Sequence, residues 1–157
     1  MIHKLKLIGR REYVDFPELQ ILGIEAKVDT GAYTSALHCH DIKVREIKDK
    51  QILCFKLLDP FHPEYNEQEH YFEDFSKKTI KSSSGEVEER YIIKTLIHIG
   101  SKKVRASISL TDRRTMRYPV LIGRKMIKNK FIIDVNQIHI GGLALSKAFP
   151  YLRNSNS

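Results

Sequence analysis

Two alternating runs constrain this chain more than any other feature. Val87, Tyr91, Ile93, Ile97 and Ile99 share one parity, with Glu88, Arg90, Lys94 and His98 on the other. After Gly100-Ser-Lys the alternation resumes, with Val104, Ala106, Ile108 and Leu110 set against Lys103, Arg105, Ser107 and Ser109. A period of two separates a core face from a wet face only in extended backbone, so the pair reads as a β-hairpin. Strand-like runs surround it: residues 4–11, 20–28, 34–47 (one long strand or two short ones), 52–57, 120–122 and 131–135, with Asp15-Phe-Pro17 and Asp49-Lys50 as turns. Residues 59–74 hold two prolines and a cluster of acids, and read as an irregular excursion. Gly123 ends one short strand, and residues 124–130 are long enough for about two helical turns. Many short strands and one late helix predict a mainly β barrel or sandwich. Residues 1–152 read as a single domain, and the closing Asn-Ser-Asn-Ser lies in a disordered tail, 153–157.

Charge narrows the partners. Lys and Arg number 27 against 19 Asp and Glu, a formal net charge of +8, which suits an acidic peptide or nucleic acid. Nucleic acid is the weaker expectation, because the basic residues are not interleaved with aromatics in a recognisable module. A solvated basic face that serves solubility alone is the competing explanation. No apolar run approaches bilayer length and no h-region follows the charged N-terminus, so the expected location is cytoplasmic, away from membranes. Cys39 and Cys54 form no C-x-x-C pair, which fits a reducing compartment and gives no zinc-ribbon spacing. Neither nucleotide-binding glycine motif is present, and no cofactor is expected.

The chemistry-bearing stretch is Glu25-Ala-Lys-Val-Asp-Thr-Gly-Ala-Tyr-Thr-Ser-Ala-Leu-His38. An apolar approach strand delivers Asp29, and Gly31 permits a backbone turn before Tyr33, Thr34 and Leu37 resume strand-like sequence. A carboxylate at such a turn can be held by backbone N–H groups, with the Thr30 hydroxyl bonding inside the loop. Positioning and hydrogen bonding of this kind prepare a carboxyl group for acid–base work.

Lys27-Val-Asp-Thr-Gly-Ala-Tyr-Thr-Ser-Ala-Leu-His38 resembles the active-site segment of the bacterial retropepsin-like peptidases long labelled "ATP-dependent zinc protease". Lys81-Ser-Ser-Ser-Gly-Glu-Val-Glu-Glu-Arg90 and Ser109-Leu-Thr-Asp-Arg-Arg-Thr-Met-Arg-Tyr-Pro-Val-Leu-Ile-Gly-Arg124 resemble further blocks of that family, in the same order. The resemblance implies a retropepsin-like closed β-barrel with one short late helix, and an aspartic-type peptidase with Asp29, Thr30 and Gly31 at its centre. Val120 to Gly123 resembles the apolar element that packs behind the catalytic loop. Family members are associated with ligases that add glutamates to protein C-termini, and some remove such tails. The implied substrate is therefore an acidic peptide or a glutamate-tailed protein.

Aspartic peptidases need two carboxyl groups sharing one proton. With one Asp-Thr-Gly, the second comes either from a homodimer's other Asp29 or from Asp112 in the same chain, the latter giving a site of a carboxylate plus an arginine in place of a symmetric dyad. Arg113, Arg114, Arg117 and Arg124, with Lys27 beside Asp29, are candidates for binding substrate carboxylates. His38 and His40 would share a face of a strand and are the candidate metal ligands for a zinc-dependent alternative, although no H-E-x-x-H is present. A non-catalytic module binding an acidic protein or RNA is the remaining alternative. Lys81 to Gly85 reads as a turn, a flap or rim over the cleft.

Overall fold

Eleven strands and a single four-residue α-helix form within the described residues of the computed structural model, which are 5–58, 67–81, 85–112 and 117–141. The alternating runs are the longest antiparallel pair. Strands β8 (Val87–Ile99) and β9 (Lys102–Thr111) register from Ile99 opposite Lys102 to Tyr91 opposite Leu110. Ile93, Ile97 and Ile99 are buried, whereas Val87 is 66% exposed. It lies where β8 runs past the end of this pairing and joins only β7 (Ser76–Lys81).

A three-residue strand closes the main sheet. Strand β10 (Val120–Ile122) runs parallel to β3 (Ile21–Val28) and antiparallel to the start of β4 (Ser35–Ile47). With β2 (Arg11–Phe16) joining β3 to β8, and β9 joining β8 to β4, six strands form a ring. Val120, Leu121 and Ile122 are all buried, as expected for a strand with neighbours on both edges and cover on both faces. Strands β5 (Lys50–Leu57) and β6 (Glu69–Phe72) extend the sheet from β4. Strands β1 (Lys6–Gly9) and β11 (Phe131–Asp134) make a separate parallel pair. The hydrophobic core includes Val14, Phe16, Ile24, Leu37, Phe55, Ile97 and Ile108, each essentially without solvent contact. The mainly β architecture with one late helix is the one expected.

Several boundaries differ from the expectation. Residues 4–11 do not make one strand, because the Arg10 N–H bonds the Gln137 carbonyl while its own carbonyl accepts the Val28 N–H, breaking the run between β1 and β2. Asp15 and Phe16 stay in β2, and the turn falls on Pro17–Leu19, closed by Gln20 at φ 61°. The expected excursion gives up Glu69–Phe72 to a strand beside β5, while 59–66 lie outside the described residues. Helix α1 (Arg124–Ile127) stops after one turn, since Lys128 turns extended (ψ 129°) and Asn129 takes a positive φ. Of residues 81–85, to which the flap reading applies, Lys81 ends β7 and Gly85 takes a positive φ, while 82–84, like 142–157, lie outside the described residues. Among the described residues no helix is long and apolar enough to cross a membrane.

Glu12 ties the end of the described chain to this frame. Buried to 1% exposure, its carboxylate accepts N–H groups from Gly9 at 2.7 Å, Ile140 at 3.0 Å and Gly141 at 2.8 Å. Glu12→Gln turns one acceptor oxygen into a donor facing these N–H groups. We expect it to lower stability by about 1–3 kcal/mol, read as a reduced urea midpoint; an unchanged midpoint would remove Glu12 from this role.

Candidate active site

Parity on β3 sets the position of Asp29. Ile24, Ala26 and Val28 are buried, while Glu25 and Lys27 point outward, so the next outward position is Asp29. Its N–H donates to the Ile122 carbonyl at 2.9 Å, which extends the β3–β10 pairing by one residue. The Asp29 carbonyl accepts the Ala32 N–H at 3.2 Å, and its Oδ1 accepts the Gly31 N–H at 3.0 Å. This side-chain turn orients the carboxylate without burying it. Gly31 is not among the glycines with positive φ, so the turn does not use glycine's left-handed freedom as expected. Its role is contact: a Cβ there would sit 3.1 Å from Asp29 Oδ1.

The loop is held from behind by the helix start. Arg124 N–H donates to the Ala32 carbonyl at 2.8 Å and Lys125 N–H to the Tyr33 carbonyl at 3.0 Å. Gly123 N–H donates to Ser35 Oγ at 2.9 Å. The contact at Thr30 is through its backbone, whose carbonyl accepts Arg124 Nη1 at 2.8 Å. The same guanidinium lies 5.7 Å from the Tyr33 ring centroid. Arg124, expected beside substrate, is thus placed on the loop itself.

Asp29 opens into a cleft of about 560 Å³ lined by Arg10, Arg11, Lys27, Arg117 and Tyr118. Arg11 Nη1 donates to the Tyr118 hydroxyl at 3.0 Å and lies 3.7 Å from Glu25, and Arg117 packs 5.6 Å from the Tyr118 ring centroid. Among the described residues, four cations and one carboxylate line this cleft, which makes it attractive to anions. Of the expected substrate-binding residues, Lys27 and Arg117 are in this cleft; Arg113 and Arg114 lie outside the described residues. Arg10 and Arg11 also line the cleft, although no local motif marks them as site residues. Their signal was a basic pair inside a strand-like run, and only the pairing of Arg11 with Lys27 brings it to the site.

Asp112 and the two histidines are elsewhere. Asp112 Oδ1 is 3.9 Å from Nδ1 of the buried His38, whose backbone N–H donates to the Pro119 carbonyl. That is the end of β10 away from Ile122, roughly 10 Å along the strand from the Asp29 contact. His40 Nδ1 bonds the Leu58 carbonyl. The two imidazoles are thus committed to different partners. Among the described residues no three His, Cys, Asp or Glu side chains are grouped to hold a metal ion. Cys39 is buried against this region, and burial pushes its thiol well above the usual range, which keeps it protonated and unreactive.

The profile of a family described as RimB-like, retropepsin-like aspartic endopeptidase RimB, matches residues 7–141. A protein of Shewanella halifaxensis named probable alpha-L-glutamate ligase is 34% identical over 135 residues, covering 83% of this chain and 29% of its own length. One of the same name from Parasynechococcus marenigrum is 27% identical over 137 residues, covering 85% of this chain and 28% of its own. The chain thus spans under a third of the length of these curated relatives. The crystal structure of a Legionella pneumophila protein of unknown function superimposes with a TM-score of 0.64 at 23% identity, covering 87% of this chain and 98% of that one. That likeness concerns the fold alone.

Proposed function

Because the chain belongs to the RimB-like family of retropepsin-like aspartic endopeptidases, we propose that it is an aspartic-type peptidase acting on acidic, glutamate-rich C-terminal tails. The observation that carries this reading is the Asp29 carboxylate, held by its own loop at the mouth of a cleft with four cations. In the reaction Asp29 takes a proton from water as the oxygen adds to the scissile carbonyl. A second carboxyl group, protonated, donates its hydrogen to the carbonyl oxygen, and collapse of the tetrahedral intermediate passes a proton to the leaving amine. Gly31 N–H and the Arg124-held Thr30 carbonyl keep the loop in place throughout.

The second carboxyl group is that of Asp29 in another copy of the chain. Asp112 stands by His38 and is not among the residues lining the cleft, where Asp29 is the one carboxylate among the described residues. A two-fold axis through the Asp29 loops would bring two such groups together without any further residue. The substrate class follows from charge: Arg10, Arg11, Lys27 and Arg117 offer donors to successive glutamate carboxylates. The names of the longer relatives fit, since a chain named for joining glutamate contains a domain like this one.

The test is cleavage of a peptide ending in a run of glutamates against the same peptide ending in glutamines, followed by mass spectrometry. We expect strong preference for glutamate, and a rise in KM of roughly tenfold for Lys27→Glu/Arg117→Glu. Equal cleavage of both peptides would overturn the substrate assignment.

A further inference from the structure

Strand β9 has an open edge. Strand β4 joins it only where Ser35 meets Ile108 and onward to Thr111. Residues 102–107 therefore carry β8 on one side and, among the described residues, no strand on the other. Such an edge presents the N–H and C=O of alternate residues outward, ready to pair with another extended chain. Here it borders a groove of about 420 Å³ to which Arg105, Ser107, Lys94, Lys125 and Lys130 contribute. A second groove of about 380 Å³ continues past Lys102 and Lys103, sharing Val104, Arg105 and Lys130 with the first.

The charges along this edge are mostly uncommitted. Arg105 is held by Glu18 through two hydrogen bonds, of 3.1 Å and 2.8 Å. Among the described residues, no carboxylate pairs with Lys94, Lys102, Lys103, Lys125 or Lys130 within 4.0 Å. Lys43, Lys56 and Lys77, on other strands, each have one. Lysines on a strand edge repel basic strands and disfavour neutral ones, which would desolvate the charge without pairing it, and the same field attracts a strand that carries carboxylates. Among the described residues no aromatic side chain lines either groove, so bases would find no stacking platform there, which favours an acidic polypeptide over RNA.

We infer that residues 102–107 take up an extended acidic peptide as an added strand, with its carboxylates on Lys94, Lys125 and Lys130. Backbone pairing supplies affinity and the lysines supply selection, as in other strand-addition interfaces. The inference rests on the proposed peptidase for its ligand class but not for its chemistry, because among the described residues this groove and the Asp29 cleft have no lining residue in common.

The experiment measures binding of a fluorescent poly-glutamate peptide to the full chain carrying Asp29→Asn, with and without Lys94→Glu/Lys130→Glu, by anisotropy. We expect the double charge reversal to weaken binding roughly tenfold with an unchanged circular-dichroism spectrum. Bound peptide should also slow amide exchange at residues 102–107. RNA of equal length should bind more weakly and give no such protection. Absent peptide binding, unaltered affinity in the charge-reversed protein, missing protection at 102–107, or tighter binding of RNA would each overturn the inference. If native protein cleaves a short glutamyl peptide but charge reversal leaves binding unaltered, the edge site fails and the peptidase stands. If binding is lost on charge reversal but no peptide is ever cleaved, the reverse holds.

Discussion

Asp29→Asn is expected to reduce hydrolysis of a glutamate-tailed peptide by roughly a thousandfold while leaving the fold intact. The amide cannot accept a proton from water at neutral pH, so the general base is lost. Its carbonyl oxygen can still accept the Gly31 N–H, and the backbone bonds of residue 29 to Ile122 and Ala32 do not involve the side chain. The loss should therefore appear in kcat, with little change in KM or in the thermal midpoint. Mixing experiments extend the test to the source of the second carboxyl group. If each site needs Asp29 from two copies, random pairing of equal amounts of native and substituted chains leaves about a quarter of the activity of the same total amount of native protein. A site complete within one chain leaves about half. Full activity in Asp29→Asn would refute the aspartic mechanism outright.

Gly123→Ala is the substitution expected to damage the structure most directly behind this site. The added Cβ would lie 2.7 Å from the Tyr33 carbonyl oxygen and 2.8 Å from the carbonyl carbons of Tyr33 and Thr34. These are backbone atoms in a segment pinned by the Arg124 and Lys125 N–H groups, so no side chain can rotate out of the way. With φ at −92°, Gly123 has a backbone that alanine adopts readily, and the penalty is purely one of close approach. Forcing that contact should cost about 2–3 kcal/mol, a fall in Tm of roughly 5–10 °C. Activity should fall with it, since the displaced segment leads straight back to Asp29. A protein with native Tm would mean that the loop accommodates the methyl group, and that Gly123 does not set the separation of loop and helix.

Local periodicity explains why much of the fold was legible. The β8–β9 hairpin reads directly from alternation because both strands have one buried face, and the Gly100 turn lies between them. Val87 was misplaced because parity reports a face but not how far the partner strand extends. Asp29 was legible as a turn carboxylate from its local sequence, whereas the reason for Gly31 was not, because proximity of a side-chain oxygen leaves no composition signal. The length of the helix is hidden from local sequence for a similar cause. Residues 124–130 are compatible with helix, but the chain leaves it at Lys128 to enter β11.

The sequence by itself determined the strand-rich class, the turn that presents Asp29, and the excess of positive charge, because each depends on neighbouring residues or on totals. Only the tertiary structure decided where those charges meet. Val120–Ile122 closes the ring by pairing at once with β3 and β4, and Arg11 reaches the site by lying opposite Lys27. Asp112, though it belongs to a block resembling the family's signature, ends beside His38. Strand pairing between distant segments is selected by the burial of whole faces and the satisfaction of whole backbones, and no short stretch of sequence carries that information.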